Sequence, residues 1–127
     1  MKILIVDDDV DFRGLATVYL RRHFPKVCVS EYDPEVLGLP RADFPWADFD
    51  VIILDHELHA EHTGLDWLRR YATLPGAPAV IFATGAGSES VAVEAMKLGA
   101  ADYLSKRDMT AVRLGEMVNT EIGRAHV

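Results

Sequence analysis

Val51-Ile52-Ile53-Leu54-Asp55 is an unbroken run of branched apolar side chains that ends on a carboxylate. No polar residue alternates within it, so neither face is suited to water. Such a strand belongs inside a parallel sheet that is covered on both sides. The same form recurs at Ile3-Leu4-Ile5-Val6, Val27-Cys28-Val29, Ala79-Val80-Ile81-Phe82-Ala83 and the shorter Tyr103-Leu104.

Segments with helical spacing lie between these runs. Phe12, Leu15, Ala16, Tyr19 and Leu20 recur at helical intervals, as do Leu65, Leu68 and Ala72, and each set predicts one apolar stripe against the sheet. Val91, Ala95 and Leu98 follow Ser88, while Leu114, Val118 and Ile122 follow Thr110, with the two hydroxyl residues as predicted N-caps. Pro34, Pro40 and Pro45 punctuate the stretch from Asp33 to Phe49 and leave room only for a short second helix. Strand and helix alternate five times over. Right-handed crossovers fold that order into a doubly wound α/β sheet with helices on both faces.

With 127 residues, half of them hydrophobic, the chain is expected to form a single domain (1–127) around one two-sided core, without room for a second. Lys and Arg number 13 against 20 Asp and Glu, for a formal charge of -7, so most of the surface repels a polyanion. Direct contact with nucleic acid is not expected. Met1 and Lys2 precede too few apolar residues for a signal peptide, and no stretch approaches the roughly 20 apolar residues that span a bilayer. The expectation is a cytoplasmic protein without membrane contact. The one cysteine, Cys28, lies in an apolar run and reads as a small buried hydrophobe; a redox sensor would want an adjacent basic residue to lower its pKa.

Ligands of open parallel sheets bind beyond the carboxyl ends of the strands, so the residues that end each run carry the information. They are Asp7-Asp8-Asp9, Asp55, Thr84-Gly85 and Ser105-Lys106. Singly, each has a plain structural explanation: an acid after a strand caps the next helix, and a lysine there is solvated. Together they call for a cation, because clustered carboxylates raise one another's pKa unless positive charge compensates. Oxygen-only donors favour magnesium or manganese over zinc.

Asp7-Asp8, Asp55, Thr84 and Lys106, each after its own strand, resemble the signature of response-regulator receiver domains, over roughly Lys2 to Arg124. Gly64-Leu65, and Gly99-Ala100-Ala101-Asp102-Tyr103-Leu104 with Tyr103 as the switch aromatic, add to the resemblance. It implies a flavodoxin-like sheet with strand order 2-1-3-4-5. Asp55 would accept a phosphoryl group from a histidine kinase or phosphotransfer protein, in a signalling domain that is not an enzyme. Magnesium, with manganese able to substitute, would be held by Asp8 and Asp55 directly, by Asp7 through water and by the Glu57 backbone carbonyl. Lys106 and Thr84 would neutralise the phosphoryl oxygens, and Thr84 and Tyr103 would then switch the surface offered to a downstream protein or an output domain absent from this chain. The resemblance also allows a homodimer through helix 4, strand 5 and helix 5.

The chain departs from that pattern in places. His59 stands where receivers usually have proline, and the span from Asp55 to Gly64 is one residue longer than usual. Arg107 replaces the proline after Lys106, so the family's cis peptide is not expected. Glu57 and Ala86 occupy positions that in the family influence the rate of phosphate loss. His56, His59 and His62 invite a transition-metal or pH-sensing reading, although their spacing satisfies no closed site. Two rivals stay open: a haloacid-dehalogenase-type phosphatase, which would want Asp-x-Asp where this chain has Asp55-His56-Glu57, and a receiver-like interaction module that works without phosphorylation.

Overall fold

The computed structural model describes residues 1–38, 41, 43–59, 62–85 and 89–125. Along the chain run β1 (Lys2–Val6), α1 (Val10–His23), β2 (Cys28–Tyr32), α2 (Pro34–Leu37), β3 (Val51–Asp55), β4 (Glu57–His59), β5 (His62–Thr63), α3 (Gly64–Tyr71), β6 (Ala79–Thr84), α4 (Glu89–Lys97), β7 (Asp102–Ser105) and α5 (Ala111–Ala125). Each of the five apolar runs becomes a strand of one parallel sheet ordered β2-β1-β3-β6-β7. Counting only those five strands, this is the expected 2-1-3-4-5.

Alternate residues of a strand point to opposite faces, and the central strands fill two cores at once. Ile3, Ile5, Ile53 and Ile81 pack with Phe12, Ala16 and Leu20 of α1 and with Leu114 and Val118 of α5. On the other face Leu4, Val6, Ile52, Leu54 and Phe82 pack with Trp67 and Leu68 of α3 and Ala95 of α4. Full burial of each large apolar side chain contributes about 1.5–3 kcal/mol. The register pairs Val6 with Leu54, Asp55 with Ala83, and Thr84 with Ser105. Whatever follows β1, β3, β6 and β7 therefore emerges along one edge.

The structure corrects three readings of the sequence. Cys28 is exposed, not buried, because β2 is an edge strand paired only with β1 and the four-residue α2 is too short to cover it. Leu15 is exposed, and the inner face of α1 carries Arg13 and Thr17 in its stead. Their polarity is satisfied there: the Arg13 guanidinium donates to the Asp7 carbonyl at 2.7 Å and pairs with Glu31 at 3.2 Å and Asp33 at 3.7 Å. Thr17 Oγ1 donates to the Arg13 carbonyl at 2.8 Å. The longer span after Asp55 holds an antiparallel ribbon, β4 against β5, that periodicity did not suggest.

Local signals otherwise hold. Thr110 Oγ1 accepts from the Arg113 N–H at 3.1 Å at the start of α5; Ser88 lies outside the described residues. Pro34 opens a helix of one turn. Among the described residues no peptide bond is cis, and a 3-10 turn, Lys106–Asp108, carries the chain from β7 toward α5. Thr63 and Asp66 form a reciprocal capping box at the head of α3.

Gly64 begins α3 directly beneath Asp55. Its N–H donates to the His56 carbonyl at 2.7 Å, and a Cβ there would lie 2.7 Å from Phe82 Cε2 and collide with the Asp55 carbonyl oxygen. Gly64→Ala is therefore expected to lower the unfolding free energy by about 1–3 kcal/mol, measured as the urea midpoint with an unchanged slope.

Candidate functional site

Three acidic side chains meet at the carboxyl edge of the sheet. Asp7 follows β1 and is 1% exposed, Asp55 ends β3 and is 4% exposed, and Asp8 faces solvent. One carboxylate oxygen from each lies within 4.8 Å of the others. Asp9, next in the run, turns away to cap α1, accepting from the Asp11 and Phe12 N–H groups at 3.0 and 3.2 Å. Its own N–H donates to Asp7 Oδ1 at 2.9 Å, which fixes the rotamer of the buried acid.

Lys106 reaches across from the end of β7. Its Nζ lies 2.7 Å from Asp7 Oδ2 and 3.2 Å from Asp55 Oδ1, and it sits 4.5 Å from the centroid of the Phe12 ring. Thr84 ends β6, buried, one position beyond the Ala83 that pairs with Asp55. Five residues from four separate stretches of sequence thus share a rim because the strands bearing them are in parallel register.

The electrostatics follow from burial. Removal from water, and after it the neighbouring Asp7 carboxylate, push the Asp55 carboxyl up to about 7, against the pull of Lys106. Asp7 is raised for the same reason, with the Lys106 ammonium and the Asp9 N–H opposing. Lys106 is itself raised: burial acts to lower it, but the two carboxylates outweigh burial. Among the described residues one ammonium thus faces three carboxylates. That residual negative charge, the oxygen-only donors and the solvent-facing Asp8 together fit a hard divalent cation.

The other predicted positions are less central. Glu57 is exposed on β4, and its carboxylate is not part of the acidic cluster. Tyr103 is half-buried on β7 and packs against the core that α3 and α4 cover. His56 lies 5.7 Å from Phe82, ring to ring. The side chains of His59 and His62, and Ala86 as a whole, lie outside what the structure describes. Sequence reasoning placed Phe12 only in an apolar stripe and passed over Arg13; nothing in helical periodicity marks a residue that touches the site from beneath.

The sequence profile described as the response regulator receiver domain matches residues 3–119. Transcriptional regulatory protein YxdJ of Bacillus subtilis (strain 168) is 30% identical over 128 residues, covering 98% of this chain and 52% of the relative. Transcriptional regulatory protein CutR of Streptomyces coelicolor is 34% identical over 106 residues, covering 84% of this chain and 46% of the relative. The chain therefore spans about half the length of these relatives. A crystal structure of a response regulator receiver domain protein from Clostridium thermocellum superposes with a TM-score of 0.83 at 30% identity, covering 98% of this chain and 96% of that one. Among the described residues no helix is long and apolar enough to cross a membrane.

Because the folded Asp55 holds its proton up to about 7, against 3.8 as its ordinary value, the folded state binds more protons than the unfolded one between those pH values. Unfolding free energy must then fall as pH rises through that window. Without divalent cations, urea titrations are expected to show that decline, and Asp55→Asn should flatten it and be the more stable protein at pH 8. Magnesium that binds only the folded state should raise the parent's unfolding free energy by up to about 2.7 kcal/mol at a hundredfold excess over its Kd, and by less in Asp8→Asn.

Proposed function

Because this chain belongs to the response regulator receiver family, a family of non-enzymatic phosphoacceptor signalling domains, we propose that Asp55 takes a phosphoryl group from a histidine kinase or phosphotransfer protein. The observation that carries this reading is the Lys106 ammonium bridging the buried Asp7 and Asp55 carboxylates at the carboxyl edge of the sheet. An Asp55 oxygen attacks phosphorus, the phosphorus–nitrogen bond to the donor imidazole breaks, and its electron pair returns to that nitrogen, which takes a proton from solvent.

Such a transfer asks a protein mainly for alignment and for charge at the equatorial oxygens. Asp8 and Asp55, with Asp7 and the Glu57 carbonyl, would hold magnesium, which would supply part of that charge. Lys106 supplies another part: once Asp55 is an acyl phosphate, its pull on the ammonium weakens and the phosphoryl oxygens take its place. Thr84 Oγ1 donates to a phosphoryl oxygen. The modification brings roughly two negative charges to a site that was already acidic, and drawing Thr84 and Lys106 inward opens space into which Tyr103 turns.

The output is a changed surface on α4, β7 and α5, read by a downstream protein, by an output domain on a longer polypeptide or by a second copy of the domain. The transcriptional regulators it resembles favour an output domain that acts on transcription, with the domain working in the cytoplasm. The position of Glu57, exposed and outside the acidic cluster, argues against the phosphatase alternative. The presence of Asp7, Asp8, Asp55, Thr84 and Lys106 together argues against a receiver that has given up phosphorylation.

Incubation with acetyl phosphate and magnesium is expected to add one phosphoryl group to the parent by intact mass, and none to Asp55→Asn; no adduct on the parent, even with a histidine kinase donor, would sink the proposal. Tyr103→Ala is expected to accept the group normally yet bind the downstream partner roughly 5-fold or more weakly, as read by titration of the phosphorylated forms. Unchanged binding would remove Tyr103 from the switch.

A further inference from the structure

We propose that Phe12 is a positioning residue for phosphoryl transfer: the face of its ring holds the Lys106 ammonium at the rim where it can serve both Asp55 and the group Asp55 receives. The inference rests on Asp55 being the acceptor. Lys106 Nζ is 4.5 Å from the Phe12 ring centroid while lying 2.7 Å from Asp7 and 3.2 Å from Asp55. The ammonium thus has three attachments, two anionic and one aromatic, and the aromatic one is of the kind in which a ring quadrupole attracts a cation.

The ring matters because the other two attachments are unequal through the reaction. A lysine amine is a compact charge on a flexible stem with three rotatable donors, and the 3-10 turn that Lys106 begins has no side-chain cap to steady it. When Asp55 becomes an acyl phosphate, the attacking oxygen loses its charge and its hold on the ammonium. Asp7 alone, at the shorter distance, would then draw Lys106 toward β1 and away from the phosphoryl oxygens. The quadrupole of Phe12 does not change with the charge of Asp55, so its attraction persists and opposes that pull.

Phe12 is itself fixed with respect to the acids. It is 7% exposed, and its N–H donates to Asp9 Oδ1 at 3.2 Å, while the Asp9 N–H holds Asp7 Oδ1 at 2.9 Å. One tight turn between β1 and α1 therefore sets the buried carboxylate and the aromatic face together. Packing alone would ask only for an apolar side chain at this position, since Phe12 also touches the core that includes Leu104 and Met109. A leucine would meet that need and supply no face for a cation.

The test separates face from shape by incorporating mono-, di- and trifluorophenylalanine at position 12 of the full chain, which weakens the ring's negative face stepwise at nearly constant shape. The rate of phosphorylation by acetyl phosphate at saturating magnesium is expected to fall in step with fluorination, reaching about two- to thirtyfold at the trifluoro ring. The thermal midpoint should stay near the parent's, Phe12→Leu should be as slow as the trifluoro protein, and Phe12→Tyr should retain most of the rate. A rate that is flat across the fluorinated series overturns the proposal. Should the parent itself take up no phosphoryl group, the acceptor reading fails separately, and the placement is then decided by the Lys106 ε-methylene proton shifts. An upfield ring-current shift in the parent that is lost in Phe12→Leu supports it, and its absence from the parent overturns it.

Discussion

Two largely buried carboxylates, Asp7 and Asp55, share the ammonium of Lys106 at distances of 2.7 and 3.2 Å, and the rest of the molecule is arranged so that this can persist. Burying one carboxylate is costly, and burying two side by side is more so, since each raises the other's pKa. Lys106 offsets part of that cost. The remainder is a standing preference for positive charge, and it makes the site responsive to a cation or to any change at Asp55.

The sheet is what holds the two acids in place. Every residue of β3 is buried, and β1 is buried from Ile3 to Val6, so the strand ends that carry Asp7 and Asp55 are anchored in two cores rather than in loops. Gly64 closes the arrangement from below by letting α3 start against the Asp55 carbonyl. Above it, the turn from Asp7 to Asp9 satisfies one acid with a backbone N–H and caps α1 with another acid. Buried strands thus hold a rim of clustered charge at one edge of the sheet.

Helix α1 has a larger part than its apolar stripe suggests. Its first two turns bring Phe12 beneath Lys106 and Arg13 beneath the Asp7 carbonyl, and Arg13 continues to Glu31 and Asp33 at the end of β2. The edge strand, poorly covered by the short α2, is thereby tied through a buried guanidinium to the same turn that shapes the site. Removal of the Arg13 side chain would take a partner from the Asp7 carbonyl, Glu31 and Asp33 at once, a larger loss than that of apolar area alone.

Much of this was legible in the residues. Unbroken apolar runs announced buried parallel strands, and a carboxylate, hydroxyl or lysine at the end of four of the five announced a common rim, because in a parallel sheet all the strand ends fall on one edge. Asp7, Asp8, Asp55, Thr84 and Lys106 were found that way. Whether a strand lies at the centre or the edge is not a local property, so Cys28 read as buried when it is exposed. Helical spacing likewise marks a face without saying what lies opposite, which hid the exchange of Leu15 for Arg13 and Thr17, and the ribbon after Asp55 depends on pairing across a loop. The contact between Phe12 and Lys106, far apart in sequence, exists only because the parallel sheet brings the ends of β1 and β7 to one edge. Sequence determined which groups were present and which edge they would share; only the tertiary structure decided their distances, their burial and therefore their charge.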